Sequence, residues 1–172
     1  YDEKQEKLKS DFSYDEIKQK FENENTYLIV SKNKKYGIID QNNKTIVNFN
    51  YDHLSFDLLN TYKDDKQTVV AKKNGKYGLI DFSGKEVIPF SYADLQRISG
   101  DDLFKAKLGK NYILINSQNT VLNKGPFDDI SNFEDEKALS FSGQKVREID
   151  RKGHFAKLED QFSIRQGFIT FD

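Results

Sequence analysis

The chain has 172 residues, 32% charged and 36% hydrophobic, with 27 Lys and Arg against 28 Asp and Glu. Balanced charge argues against a general polyanion binder, and the absence of Cys removes disulfides, zinc ribbons and thiol nucleophiles. No apolar run approaches the roughly 18 residues of a membrane span, and the apolar content favours thin, solvated layers over one thick core.

Residues 1–26 form an N-terminal flank. Residues 1 to 11 are polar and read as a frayed helix or as disorder. Ser13-Tyr14-Asp15-Glu16 has the form of a capping box, and Tyr14, Ile17 and Phe21 share one helical face, which predicts a short helix. Phe12-Ser13-Tyr14-Asp15-Glu16-Ile17 also matches Phe49-Asn50-Tyr51-Asp52-His53-Leu54, the form of a truncated earlier copy.

A repeat begins at residue 27, and missing it would misread the whole fold. Lys35-Tyr36-Gly37-Ile38-Ile39-Asp40 in unit one (27–67) recurs as Lys76-Tyr77-Gly78-Leu79-Ile80-Asp81 in unit two (68–102). The segment Lys44 to Tyr51 aligns without gaps on Lys85 to Tyr92. Unit three (103–137) keeps Asn111-Tyr112-Ile113-Leu114-Ile115-Asn116 and Phe127-Asp128-Asp129-Ile130. Unit four (138–172) retains Ile149-Asp150, Gly153 and Phe162-Ser163-Ile164, then ends on Phe168-Ile169-Thr170-Phe171, the form of a further unit's opening strand.

Within unit two, Thr68-Val69-Val70-Ala71 runs into Asn74-Gly75, whose residues supply the two positive-φ positions of a type I′ hairpin turn. A strand from Lys76 to Ile80 then reaches Asp81-Phe82-Ser83-Gly84, a second turn, and a third strand runs from Glu86 to Tyr92. The left-handed position of that turn is Asn43, Gly84, Asn119 and Gly153 in the four copies, always a residue for which positive φ costs little. The glycine after each aromatic, Gly37 or Gly78, predicts a bulge or a close backbone approach. Short helices are expected to connect units, as at Asp52 to Asn60, and the linkers Phe56 to Gln67, Gln96 to Asp102 and Asn132 to Lys137 carry acidic residues.

Lysine, aromatic-Gly, Asp, Gly-Lys, Ile-Pro and a closing Tyr, read at Lys76-Tyr77-Gly78, Asp81, Gly84-Lys85, Ile88-Pro89 and Tyr92, resemble the bacterial WG-containing (KWG) repeat, with Tyr-Gly in place of Trp-Gly. Val146 replaces the aromatic in unit four, and Gly is lost at Ile113 and Arg147, which suggests a cap-like end. The resemblance implies a repetitive β architecture in bacterial, often exported or multi-domain proteins, and brings no catalytic residues.

No catalytic signature is present, and no catalytic, cofactor or metal residue is assigned. His53 and His154 read as solvent-facing structural residues, and Gly78 to Gly84-Lys85 fails as a phosphate loop on spacing and context. The acidic pairs and triplet (Asp64-Asp65, Asp101-Asp102, Asp128-Asp129, Glu134-Asp135-Glu136) lack EF-type spacing and read as solvated loops. Lys34 and Lys35, Lys73 and Lys76, and Lys107 and Lys110 gather on the first hairpins with Lys32, Lys72 and Lys105, and stacking would align them in a stripe facing away from the acidic loops. Exposed hairpins also need such charge to resist edge pairing, and the dominance of Lys over Arg speaks against nucleic acid. The closing aromatics Tyr14, Tyr51, Tyr92 and Phe127 read as inter-unit core.

The expected fold is an all-β array of roughly three-stranded antiparallel meanders, stacked as an open or curved solenoid, with a small propeller-like ring as the alternative. The structural motif is Tyr36, Gly37, Asp40, Tyr51, Asn74, Gly75, Tyr77, Gly78, Asp81, Gly84 and Tyr92. The expected function is a non-enzymatic module presenting hairpins and loops to a protein or cell-surface partner. A carbohydrate-binding or glycoside-processing module using the aromatics and carboxylates between units is the alternative, and self-association through strand edges is a third route. The missing Met fits a removed export signal or an excised piece, and localisation leans to extracytoplasmic or secreted.

Overall fold

The structure is a computed structural model that describes residues 14–22, 25–56, 68–99, 102–156, 162–165 and 168–171, the last two segments as strands only. It is built from four antiparallel sheets in succession. The first contains β1 (Glu16–Glu22), β2 (Thr26–Lys32), β3 (Lys35–Asp40) and β4 (Thr45–Tyr51) in sequence order. The second contains β5 (His53–Ser55), β6 (Thr68–Lys73), β7 (Lys76–Asp81) and β8 (Glu86–Tyr92). The third comprises β9 (Asp94–Arg97), β10 (Leu103–Leu108), β11 (Asn111–Asn116) and β12 (Val121–Phe127). The fourth comprises β13 (Asp129–Ile130), β14 (Lys137–Ser142), β15 (Lys145–Asp150), β16 (Phe162–Arg165) and β17 (Phe168–Phe171).

Both turn types form as the residue chemistry requires. Asn74 and Gly75 take φ of 51° and 77° between paired Lys73 and Lys76, and Asn33 and Lys34 do the same at 53° and 61°. In the second turn Asn43, Gly84, Asn119 and Gly153 lie at φ of 65°, 80°, 60° and 85°. Each donates its amide to the carbonyl of Asp40, Asp81, Asn116 or Asp150. Those side chains close the turn: Asp81 Oδ1 accepts from the amides of Ser83 and Lys85 at 2.8 and 2.9 Å, and Asp150 Oδ1 from Lys152 and His154 at 2.9 and 2.7 Å. Burial raises both carboxyls, but the donated hydrogen bonds outweigh it and leave them below the usual carboxylate range.

The expected bulge opposite the aromatic-Gly pair is present. Tyr77 pairs with Tyr92 and Leu79 with Ile88, so β8 spends extra residues opposite Gly78. A Cβ on Gly78 would lie 2.6 Å from the Ile88 carbonyl oxygen and 3.1 Å from the Phe90 ring, and Gly37 meets Val47 and Phe49 in the same way. Glycine is needed there for space.

Three expectations are corrected. The segment read as a capped helix is the strand β1, and among the described residues there is no helix, hence none long and apolar enough to cross a membrane. A bulge between Ile17 and Gln19 resets the alternation, so that Phe21 pairs with Tyr27, and pairing to β2 overrides the local capping signal. His53 to Ser55, expected to begin a helical connector, is the strand β5; residues 57–60 of that connector, like residues 1–11 and most of the linker to Gln67, lie outside the described residues. The sheets also hold four strands, or five in the last, where three were expected.

The added strand follows the closing aromatic. After Tyr51 the chain turns at Asp52 and continues as β5, paired to β6 of the next sheet, so the sheets cut the chain just after Tyr51, Tyr92 and Phe127. They are therefore out of phase with the sequence units begun at 27, 68, 103 and 138. Phe168–Phe171, read as the start of a further unit, pairs with β16 in the fourth sheet.

Three apolar clusters lie at the three successive sheet contacts. In the second sheet Val69, Ala71 and Ile80 face the first, while Val70, Leu79 and Ile88 face the third. Both faces are buried, which is why the strands read as short unbroken apolar runs. Of the closing aromatics, Tyr51, Tyr92 and Phe127 belong to such contacts, at 6%, 6% and 2% exposed, whereas Tyr14 is only half-buried and lies outside the three clusters. Tyr14 and Tyr92 donate their hydroxyls to the left-handed Asn43 and Asn119 at 2.6 Å. Repeat stability resides in such neighbour contacts.

Candidate functional site

The corners order one edge of the molecule. Tyr51 pairs with Tyr36 beside the β2–β3 hairpin tip, and the next amide, of Asp52, donates to Lys72 beside the β6–β7 tip. Tyr92 pairs with Tyr77 and Ala93 donates to Lys107; Phe127 pairs with Tyr112 and Asp128 donates to Phe141. Every corner thus joins consecutive hairpin tips, and the four tips run along one edge. The second turns close the opposite end of each sheet, because successive antiparallel connections alternate ends.

Side chains reinforce the edge. Asp15 accepts from the Lys34 amide at 3.0 Å, and Asp128 accepts from the Gly143 amide. Asp52 accepts from the Gly75 amide at 3.2 Å and from Lys35 Nζ at 2.5 Å, bonding to the tips of two sheets at once. Lys35 is the first cause of a carboxyl pKa below its usual range at Asp52. Lys34 occupies a positive-φ turn position, Lys73 and Lys76 flank the next turn, Lys107 lies near the following tip and Lys110 follows the left-handed Gly109. All six lysines singled out in the sequence lie along this edge. The edge also carries acids that the sequence reading had left with the loops: Lys105 Nζ pairs with Asp129 at 2.5 Å.

Beside the tips runs a row of tyrosines. Lys18 Nζ is 5.0 Å from the Tyr36 ring centroid and Lys72 is 5.0 Å from that of Tyr77. Lys105 and Lys107 approach Tyr112 at 5.5 and 5.2 Å. The residue that opens each sheet after the corner, Glu16, His53, Asp94 or Asp129, alternates with these rings. Tyr36 donates to Glu16 at 2.9 Å and Tyr112 to Asp94 at 2.8 Å. Burial, then the bond to Asp94, pushes the Tyr112 hydroxyl up to about 12.

His53 is not the solvent-facing residue expected from sequence. It is half-buried between Tyr36 and Tyr77, at ring-centroid distances of 6.4 and 6.3 Å, with Lys18 Nζ 2.8 Å from its Nδ1. Burial, then the charges of Lys18 and Lys72, hold the imidazole below its ordinary pKa. His154 is exposed and adjoins Asp150 at 3.2 Å.

A cleft of about 320 Å³ opens where the second sheet meets the third, with His53, Ser55, Tyr77, Asp94, Gln96 and Arg97 in its wall. Sequence reasoning missed it, since most of its residues come from β5 and β9, strands not recognised as such. The usable signal is the alignment of Glu16, His53, Asp94 and Asp129 immediately after each corner. Among the described residues no cluster of three or more metal-ligating side chains occurs.

The model of the family described as the WG containing repeat matches residues 36–57 and 77–112. The second match runs from one row tyrosine to the next and crosses a corner, so the family's unit, like the sequence unit, takes parts of two sheets. No curated protein matches the chain.

Proposed function

Because residues 36–57 and 77–112 are WG containing repeats in an all-β array, we propose that the protein is a non-enzymatic interaction module that offers its hairpin edge to an acidic protein or cell-surface partner. The supporting observation is Asp52, which bonds to Lys35 in one sheet and Gly75 in the next and so makes separate tips into one surface. Along it, Lys34, Lys35, Lys73, Lys76, Lys107 and Lys110 supply cations at repeating intervals. Exposed charges of this kind mainly steer association and set partner choice, and their effect fades with salt.

Titration with synthetic acidic, neutral and basic peptides of equal length tests the reading. The acidic peptide is expected to bind alone, to weaken with added salt, and to lose its binding when Lys34, Lys73, Lys76 and Lys110 are changed to Glu. Equal binding of all three, or indifference to the four substitutions, overturns it. The reading takes the four sheets as an open array: scattering should give a radius of gyration clearly above the roughly 16 Å of a compact chain of this length, and a value at that figure favours a closed ring.

A further inference from the structure

We propose that the cleft between the second and third sheets binds one ring of a neutral sugar. The site is distinct from the lysine edge and rests on a local break in the tyrosine row.

In the first and third sheets the row tyrosine gives its hydroxyl to the acid that opens its own sheet, Tyr36 to Glu16 and Tyr112 to Asp94. In the second sheet that position is His53, whose ring contacts Tyr77 edge-on. No carboxylate of its own sheet claims the Tyr77 hydroxyl at that place, and this is where the cleft opens. Its volume of about 320 Å³ sits at the small end of ligand sites, which run from about 300 to 1,000 Å³. That suits one saccharide ring better than a long chain.

The wall combines an aromatic surface with hydrogen-bonding groups of both kinds. The Tyr77 ring, which carries Lys72 Nζ over it at 5.0 Å from the centroid, can offer its other face to the C–H face of a pyranose, while its hydroxyl and that of Ser55 both donate and accept. Asp94 accepts from Tyr112 and Gln96 on Oδ2, at 2.8 and 2.6 Å, and from the Leu95 amide on Oδ1 at 3.0 Å. A carboxylate has about four acceptor sites, so Asp94 is oriented by its neighbours and retains capacity for a ligand hydroxyl.

Charge narrows the ligand class. Arg97 is 6% exposed, donates from Nη2 to Thr68 Oγ1 at 2.8 Å and stacks on Phe104 at 4.5 Å, so it forms wall and does not reach out as an anion receptor. With Arg97 held in the wall, the carboxylate of Asp94 disfavours an anionic ligand, and a neutral, polyhydroxylated ring fits this lining.

The experiment is titration calorimetry of the full chain with glucose, galactose, mannose and N-acetylglucosamine, with their neutral oligosaccharides, and with glucuronic acid. At least one neutral sugar is expected to bind and glucuronic acid to bind more weakly. Tighter binding of an oligosaccharide than of its monosaccharide assigns the ligand to a glycan chain, and equal binding to the free sugar. Asp94→Asn should weaken binding about tenfold, the scale of a lost hydrogen bond to a charged group. Gln96→Ala, at an exposed side chain, and Tyr77→Phe should each weaken it while leaving the thermal midpoint in place, so that loss of binding is separable from loss of fold. The four Lys→Glu changes at the hairpin edge should leave sugar binding intact. Silence of every neutral sugar, stronger binding of glucuronic acid, or unchanged affinity in both Gln96→Ala and Tyr77→Phe overturns the proposal.

Discussion

The second and third sheets solve one packing problem with opposite residues. In the second, Gly78 on β7 lies under Phe90 of the bulged β8, with no room for a Cβ. At the matching places in the third, Ile113 stands on β11 and Gly125 on the bulged β12, where a Cβ would lie 2.8 Å from the Tyr112 carbonyl oxygen. The glycine that looks lost from unit three has changed strands. Gly78 is needed for space against the β8 backbone, whereas Gly125 also sits at φ 66°, so the bulged strand takes a different path where it accommodates Ile113. The corners differ too: Asp52 bonds to two tips, whereas its counterpart Ala93 has only a backbone amide to offer.

Exchanging these solutions is the strongest way to break the comparison. Gly78→Ile alone should destabilise the protein by about 3 kcal/mol in chemical denaturation, through overpacking against the Ile88 carbonyl and Phe90. Adding Phe90→Gly should recover more than the two single changes predict, with a coupling of about 1 to 3 kcal/mol. Purely additive losses would show that the two arrangements are not equivalent.

A smaller contrast concerns the closing tyrosines. Tyr92→Phe removes the bond to Asn119 Oδ1 and should cost about 1 kcal/mol. Tyr51 faces Gly84, where no side-chain acceptor exists, so Tyr51→Phe should stay within about 0.5 kcal/mol. Equal losses in melts of the two variants would contradict the pairing of tyrosine with a left-handed asparagine.

The corner difference is smaller still. Ala93→Asp should restore an acceptor beside the Gly109 turn and stabilise by below about 1 kcal/mol, given the exposure of the other corner carboxylates. A destabilised variant would mean that the third corner has moved out of reach of its tip.

The weakest expected effect is on pH dependence. The folded pKa of His53 is depressed, so the unfolded chain takes up its proton first. The stability this group contributes is present above its ordinary 6.5 and is lost as pH falls from there through the folded value. His53→Gln should flatten that part of the stability profile. Asp52, Asp81 and Asp150, also depressed, act further down, below 3.8. A slope below 6.5 unchanged by His53→Gln would remove His53 as its cause.

Turns and apolar strands were legible in the sequence because their causes are local. Asn74-Gly75 and the series Asn43, Gly84, Asn119 and Gly153 are steric requirements of single residues, and all took positive φ. The corner strands were not legible: β5 and β9 have three and four residues, too few for a periodic pattern, and exist because β6 and β10 offer an edge to pair with. The same cause hid the cleft, whose wall comes largely from those two strands.

By itself, then, the sequence determined an all-β repeat with two turn types, its period, and lysines on its first hairpins. Tertiary structure alone decided where one sheet ends and the next begins, that Asp52 fastens two tips into one edge, that His53 is half-buried between two tyrosines, and that a glycine could move from β7 to the counterpart of β8. These outcomes depend on which strands meet across a sheet or between sheets, and contacts between residues far apart in the chain leave no local periodicity to read.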